Sequence, residues 1–366
     1  MTPNQPNAIA RPAWSGPVSA ALIIFGLIAL AFLTHLGFFA IGVGPTDLEA
    51  FYVEASAGSS VYGSVQTLLQ SLFGDSIVVG RAFSVICAMT GLVLLARLCA
   101  SWTGDVIVGA VMPLGLLMFP QAAFVFALAT PHALMMLLTI VGLMAATRVS
   151  EGRPFVAPMQ VGGVCGVLIF LDPAGLGIAA GIVAFVILER RDRTFLTTLV
   201  AMVIIVGLVL SLLFPIPLSA ELPSGLVETR ALTLQDGLWR GFAMLWVALA
   251  FSAVALWRSA ALRLSLGDHA VRRSVALGLS FVIATLWLIY GIAPPPADVP
   301  VWFTAILVLG VVSALPLVLW IRFVMPSIQS VWIWILLPVV MYSCFWVVLG
   351  PINLGAFPYD QIESRP

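Results

Sequence analysis

Apolar stretches of about the length that crosses a bilayer, ~20 residues, follow one another almost from end to end of the chain, separated by short connectors rich in Pro, Gly and charge. They read as Pro17 to Gly42, Ile77 to Leu98, Thr194 to Phe214, Gly237 to Trp257, Ser274 to Ile292, Val301 to Ile321 and Val331 to Leu349. The first is longer than the ~7–15 apolar residues of a cleaved signal peptide, so it is expected to stay as a helix. Two further stretches are too long for one crossing. Asp105 to Thr147 carries Pro120, Gln121 and Thr130-Pro131-His132 in its middle and is expected to cross near Pro120 and return after Pro131. Pro158 to Leu188 is interrupted by Asp172-Pro173 and is expected to be a helical hairpin. Each arm would measure only ~22 Å against a ~30 Å hydrocarbon core, which puts the Asp172 turn in the membrane or in a water-filled cavity.

The expected fold is therefore all-α, a polytopic helical bundle of about eleven spans. Its orientation follows from arginine. Threaded through these spans, Arg11, Arg97, Arg148, Arg153, Arg190, Arg191, Arg193, Arg258, Arg263, Arg272, Arg273 and Arg322 fall on one side, and only Arg81, Arg230, Arg240 and Arg365 on the other. Basic residues mark the cytoplasmic face, so the N-terminus is expected inside and the C-terminus outside. The loop Val43 to Asp75 is then extracytoplasmic. The longest inner loop, Arg258 to Arg273, is too short to fold as a separate catalytic unit, and no repeat or linker divides residues 1–366, read as one integral membrane domain. Any chemistry belongs at the outer face.

Composition sharpens this picture. Of 366 residues, 61% are hydrophobic and 9% charged, which excludes a cytosolic globular protein. Sixteen basic and sixteen acidic residues cancel, without a basic block to hold a polyanion, so nucleic acid is not an expected partner. Cys87, Cys99, Cys165 and Cys344 lie in apolar stretches without metal-like spacing and read as small buried hydrophobes. Nucleotide-binding loops, haem pairs and zinc motifs are missing from the chain.

Against so apolar a background, the polar residues stand out. The segment Gly44-Pro45-Thr46-Asp47-Leu48-Glu49-Ala50-Phe51-Tyr52-Val53-Glu54-Ala55 opens like an interfacial helix capped by Thr46 or Asp47. Asp47 and Glu54, seven apart, share a helical face, and Glu49 lies about 160° round. A carboxylate there could take a proton from an acceptor hydroxyl; equally, three acids in an exposed loop are simply solvated. Arg81, at the outer end of a span, could hold a phosphate bidentately or snorkel to the interface. His132 could ligate a divalent metal or bind a sugar phosphate, or be a packed residue. Asp172, costly inside a membrane, should face a cavity or a partner, or cap the helix opening at Pro173. His35 suits an interhelical hydrogen bond. Arg230 and Arg240 could complete a phosphate site or anchor the interface.

In order and spacing, the acidic segment after the first span, Leu72-Phe73-Gly74-Asp75-Ser76, Arg81-Ala82-Phe83-Ser84, Phe126 to Leu134 with Thr130-Pro131-His132, and Gly166 to Asp172 resemble the C-type (GT-C fold) membrane glycosyltransferases that use polyprenyl-phosphate sugars. That group contains protein O-mannosyltransferases and the aminoarabinose transferases of lipid A. The resemblance covers roughly Ile24 to Arg191, so residues 17–191 would be the GT-C-like module, with its outer loop at 43–75, and 194–349 the C-terminal spans. It implies a lipid-linked sugar donor, an acceptor hydroxyl at the outer face of a bacterial inner membrane, and inversion at the anomeric carbon. It further implies Asp47 and Glu49 as catalytic acids, and Arg81, Tyr52, Glu54, His132, Asp172 and Arg240 around the substrate. The family's Asp-Glu pair is split here by Leu48, its His-Pro-Pro stretch is missing, and His132 replaces a common Asp. These departures carry the alternative, a catalytically inactive relative that binds a membrane protein partner or lipid. A transporter is a weaker third reading, without paired midplane charges.

Overall fold

The computed structural model describes residues 49, 52, 60–74, 76–117, 125–147, 155–189, 192–216, 243–258, 260–291 and 299–324. All regular elements among them are helical: α1 Val61–Phe73, α2 Ile77–Thr103, α3 Val106–Leu117, α4 His132–Thr147, α5 Val156–Leu171, α6 Pro173–Glu189, α7 Arg193–Ser211, α8 Ala243–Arg258, α9 Ala260–Leu286, α10 Val299–Ser313 and α11 Leu315–Val324. A π-helical turn, Trp287–Gly291, prolongs α9. The expected spans Pro17 to Gly42 and Val331 to Leu349 lie outside the described residues.

Local chemistry explains several boundaries. Ser60 accepts from the Gly63 amide and starts α1; Ser76 accepts from the Val78 amide and starts α2. Helix α2 ends on Gly104 at φ 70°, the left-handed conformation glycine adopts most readily. The Asp172-Pro173 interruption is a one-residue break. Asp172 is extended (φ −166°, ψ 151°), its Oδ1 accepts from the Ala174 amide at 2.9 Å, and Pro173 occupies the first helical position.

Across that break α5 and α6 fold back on each other. Cys165 Sγ lies 4.0 Å from the Ala179 carbonyl, and a Cβ added at Gly175 would sit 1.8 Å from the Leu168 carbonyl. The residue pairs 165/179 and 168/175 both centre on the break, so the two arms are antiparallel. With 16 and 17 residues they reach only ~24–26 Å.

Cross-helix neighbours give the directions of other pairs. Gly80 lies against Ala129 and Gly91 against Met136, so α2 and α4 run parallel. Gly162 meets Leu199 and Gly166 meets Val206, which makes α5 and α7 parallel. Gly177 meets Trp287, Gly181 meets Ser280, and Glu189 meets Arg273, so α6 and α9 are antiparallel. Buried Leu92, Leu95, Met136, Ile140, Leu143, Leu168, Ile182 and Phe185 belong to the core these helices share.

Two described helices, Ile77–Thr103 and Arg193–Ser211, are long and apolar enough to cross a membrane, and five shorter apolar helices accompany them. Helix α7 has only 11% of its most apolar stretch buried, and it exposes Val200, Ile204, Ile205, Leu208 and Val209. The regular structure among the described residues is thus all helical, and two of its helices have the length and apolarity of membrane spans.

Two expectations need correction. Arg258 to Arg273, read as a loop, is largely the first half of α9. Val301 to Ile321, read as one span, is broken at Ala314 into α10 and α11. In an unbroken helix the Pro316 ring would strike the carbonyl of residue 312. Ser252 of α8 donates to the Ala314 carbonyl at 3.2 Å and satisfies one acceptor of the break.

Candidate functional site

Residues from three parts of the chain come together at one end of the bundle: Glu49 and Tyr52 from before α1, the turn leading into α4, and the α5–α6 break. Glu49 and Arg81, 32 residues apart, meet directly. Arg81 Nε donates to Glu49 Oε1 at 2.7 Å and Nη2 to Oε2 at 2.6 Å, a fork-to-fork pair. The Ala129 amide donates to Glu49 Oε1 at 2.9 Å. Glu49 and Arg81 are 0% and 1% exposed, so the pair is wholly inside.

The Ala129 amide is free to reach Glu49 because the chain between Val125 and His132 turns tightly. The Thr130 hydroxyl donates to the Val125 carbonyl at 3.3 Å, and the Ser84 hydroxyl reaches the Thr130 carbonyl at 3.5 Å. Gly80, the residue before Arg81, permits the close approach. A Cβ there would sit 2.6 Å from Gln66 Oε1 and 2.9 Å from the Ala129 Cβ.

Beside the ion pair stands a second polar chain. Tyr52 donates its hydroxyl to Asp172 Oδ2 at 2.6 Å, while Asp172 Oδ1 caps α6. Asp172 therefore does both things its position allows: it caps a helix and holds a partner. The Tyr52 ring is edge-on to Tyr62 (centroids 6.2 Å apart, 84°) and to His132 (6.0 Å, 86°). His132 is fully buried, and neither ring nitrogen has a hydrogen-bond partner. Tyr62 accepts from Gln66 Nε2 at 2.5 Å. Burial pushes the Tyr62 phenol up from its ordinary value of 10.0, against the smaller opposing effect of the Ser84 and Gln66 hydrogen bonds, so Tyr62 is a neutral hydroxyl at any working pH. Helix α9 closes this side: Trp287, in the π-helical turn, donates to the Pro173 carbonyl at 2.9 Å.

Of the residues singled out in the sequence, the structure thus gathers Glu49, Tyr52, Arg81, His132 and Asp172 at one end of the bundle. Asp47, Glu54, Arg240, Arg230 and His35 lie outside the described residues. Of the two acids expected to be catalytic, Glu49 is paired with the Arg81 guanidinium, and Asp47 lies outside the described residues. Both Glu49 oxygens are spent as acceptors, which suits an anchor better than a proton acceptor. Among the described residues no three His, Cys, Asp or Glu side chains converge as metal ligands. A cleft of about 410 Å³ lies elsewhere, between α2, α4 and α5, lined by Leu94, Leu138, Met144, Val164 and Val167, with Gln160 at its polar edge.

Sequence reasoning missed Tyr62, Gln66, Ser84, Trp287 and the Ala129 amide. Tyr62 and Gln66 belong to a stretch read as outer loop, where polar residues raise no question. A backbone amide leaves no mark in a sequence. Trp287 is one of eleven tryptophans in an apolar chain, and nothing in its neighbours marks it.

No protein-family model, no curated protein and no solved structure matches the chain.

Proposed function

We propose that this protein is a C-type membrane glycosyltransferase that moves a sugar from a polyprenyl-phosphate donor to an acceptor hydroxyl at the outer face of a bacterial inner membrane. It would cross the membrane about eleven times, with the N-terminus inside and the C-terminus outside. The helix directions agree with that threading: α2, α4 and α6 descend from the end that holds Arg81, His132 and Asp172, while α5, α7 and α9 rise toward it. The single observation that carries the reading is the meeting of Glu49, from the segment after the first expected span, with Arg81 of α2. The Thr130-Pro131-His132 turn and Asp172 close around the same end. Those are the pieces on which the family resemblance rests.

In this reading Asp47 removes the proton from the acceptor hydroxyl, which attacks the anomeric carbon with inversion. The C1–O bond to the phosphate breaks, and the lipid phosphate leaves toward cationic donors, with Arg240 completing the set begun by Arg81. Glu49 holds the Arg81 guanidinium and the Ala129 amide in register, and Tyr52, Glu54, His132 and Asp172 line the substrate side. A divalent metal is not required by this scheme. Asp47→Asn should abolish transfer from a lipid-linked sugar in membranes while leaving the protein folded; full transfer by that variant removes Asp47 as the base.

Two observations favour a second reading, a catalytically inactive subunit that binds a membrane protein partner or lipid. Arg81 already has a carboxylate partner and is sealed from solvent, and Leu48 interrupts the acidic pair. Purification in mild detergent separates the two. A stoichiometric partner protein supports the subunit; a lone monodisperse protein active on lipid-linked sugar supports the transferase.

A further inference from the structure

At the far end of α2 from the candidate site, Trp102 of α2, Glu189 of α6 and Arg273 of α9 form a second, partly buried polar cluster. Arg273 Nε donates to Glu189 Oε1 at 2.8 Å, and the guanidinium carbon lies 5.4 Å from the centre of the Trp102 ring. Trp102 in turn stacks on Phe185, with ring centres 6.1 Å apart. The Glu189 side chain is only 7% exposed and that of Arg273 22%. Two polar atoms of this cluster are buried with no partner: the second carboxylate oxygen, Glu189 Oε2, and the indole Nε1 of Trp102.

An unsatisfied buried polar group is costly, so each of these two atoms calls for a partner. The two have opposite needs. A carboxylate oxygen only accepts and an indole N–H only donates, so a molecule that completes both must carry a donor and an acceptor. The strongest donor to a carboxylate is a cation with N–H groups. The strongest acceptor for an indole N–H beside a guanidinium is an anionic oxygen, and Arg273 is partly exposed while its neighbour Arg272 is exposed.

We propose that Trp102, Glu189 and Arg273 form a headgroup site for a phospholipid with a primary ammonium, of the phosphatidylethanolamine kind. The ammonium donates to Glu189 Oε2, and the phosphate accepts from the Trp102 indole and the outer nitrogens of Arg273. This rests on the membrane placement proposed above. Along α2, Arg81 and Trp102 are about 31 Å apart at 1.5 Å per residue, the thickness of a hydrocarbon core. The cluster therefore meets the inner headgroup layer when Arg81 sits at the outer one. A choline headgroup has no N–H to give, and a glycerol headgroup has no cation.

The test is native mass spectrometry of the full-length protein in mild detergent, with equal amounts of phosphatidylethanolamine, phosphatidylcholine and phosphatidylglycerol of identical acyl chains. The ethanolamine lipid should be retained about tenfold over either competitor, a difference of about 1.4 kcal/mol. Trp102→Phe, which keeps the ring for Phe185 and Arg273 and loses the N–H, should cut that preference several-fold, and Glu189→Gln should remove it. Should Glu189→Gln fail to fold, mono-, di- and trimethylated ethanolamine lipids on the natural protein serve instead, with retention falling at each methyl. Equal retention of all three headgroups, or indifference to methylation, overturns the site and leaves the cluster a helix clasp. A protein recovered from cells without detergent would overturn the membrane placement itself, a failure distinct from that of the headgroup site.

Discussion

Neither Glu49 nor Arg81 would be tolerated alone where it stands. Removing one partner of a buried ion pair strands the other charge and costs about 3–5 kcal/mol, whereas removing both together costs much less. Arg81→Gln should therefore lower the thermal unfolding midpoint in detergent sharply. The double variant Glu49→Gln with Arg81→Gln should fall short of the summed single losses by more than about 1 kcal/mol. Additive losses would show that the two do not act as a pair. Tyr62 gives a pH signature at the same scale. Its folded form holds the proton to higher pH than the unfolded chain, so its contribution is complete below the unfolded value of 10.0 and is lost as pH rises above it. Its share of that loss approaches about 1.4 kcal/mol per pH unit. Alkaline unfolding followed by circular dichroism should be shallower in Tyr62→Phe; an unchanged alkaline limb would remove Tyr62 as its source. Arg81, His132 and Asp172 were legible in the sequence because a polar residue in an apolar run is conspicuous. The partners that decide what they do were not: Glu49 was one acid among three, and the Ala129 amide has no side chain to read.

Helix interruptions determine where those side chains meet. The Asp172-Pro173 break was legible because an acid and a proline in an apolar run both oppose helix continuation. The break at Ala314 was not, since Pro316 is the one proline in a long apolar run and its effect depends on whether the preceding turn can yield. The arginine-rich start of α9 was misread for the opposite reason: Arg, Leu and Ala are all good helix formers, and charge marks exposure rather than irregular backbone. The α5–α6 hairpin offers a sharp test. At Gly175 a methyl would overlap the Leu168 carbonyl at 1.8 Å, whereas at Gly163 it would meet nothing within 4 Å. Gly175→Ala should split the hairpin and lose folded protein in detergent gel filtration, while Gly163→Ala should be neutral or gain up to about 1 kcal/mol from helix propensity. Equal tolerance at both sites would mean the two arms are not packed as closely as this.

At the scale of the whole molecule, the two ends of the bundle differ in kind. One gathers Glu49, Tyr52, Arg81, His132 and Asp172; the other gathers Trp102, Glu189 and Arg273. The face of α7 between those levels is exposed and apolar. The arginine distribution in the sequence assigns the first end to the outside. The direction of each packed pair gives which helices run alike and matches their order in that threading, because an odd error between α6 and α9 would have put Glu189 and Arg273 at opposite ends; which end faces out is a separate question. Sidedness can be measured directly. Ser71, on α1, and Thr194, at the start of α7, are both exposed. Among the natural cysteines, Cys87, Cys99 and Cys165 are buried. In a Cys344→Ser background, Ser71→Cys should react with a membrane-impermeant maleimide on intact cells, and Thr194→Cys only after permeabilisation. The reverse pattern would invert the protein and move the Glu49–Arg81 end to the cytoplasm, where the proposed outer-face transfer could not occur. Labelling of both sites on intact cells would place α1 and the start of α7 on one side, and the crossing number between them would be even rather than odd.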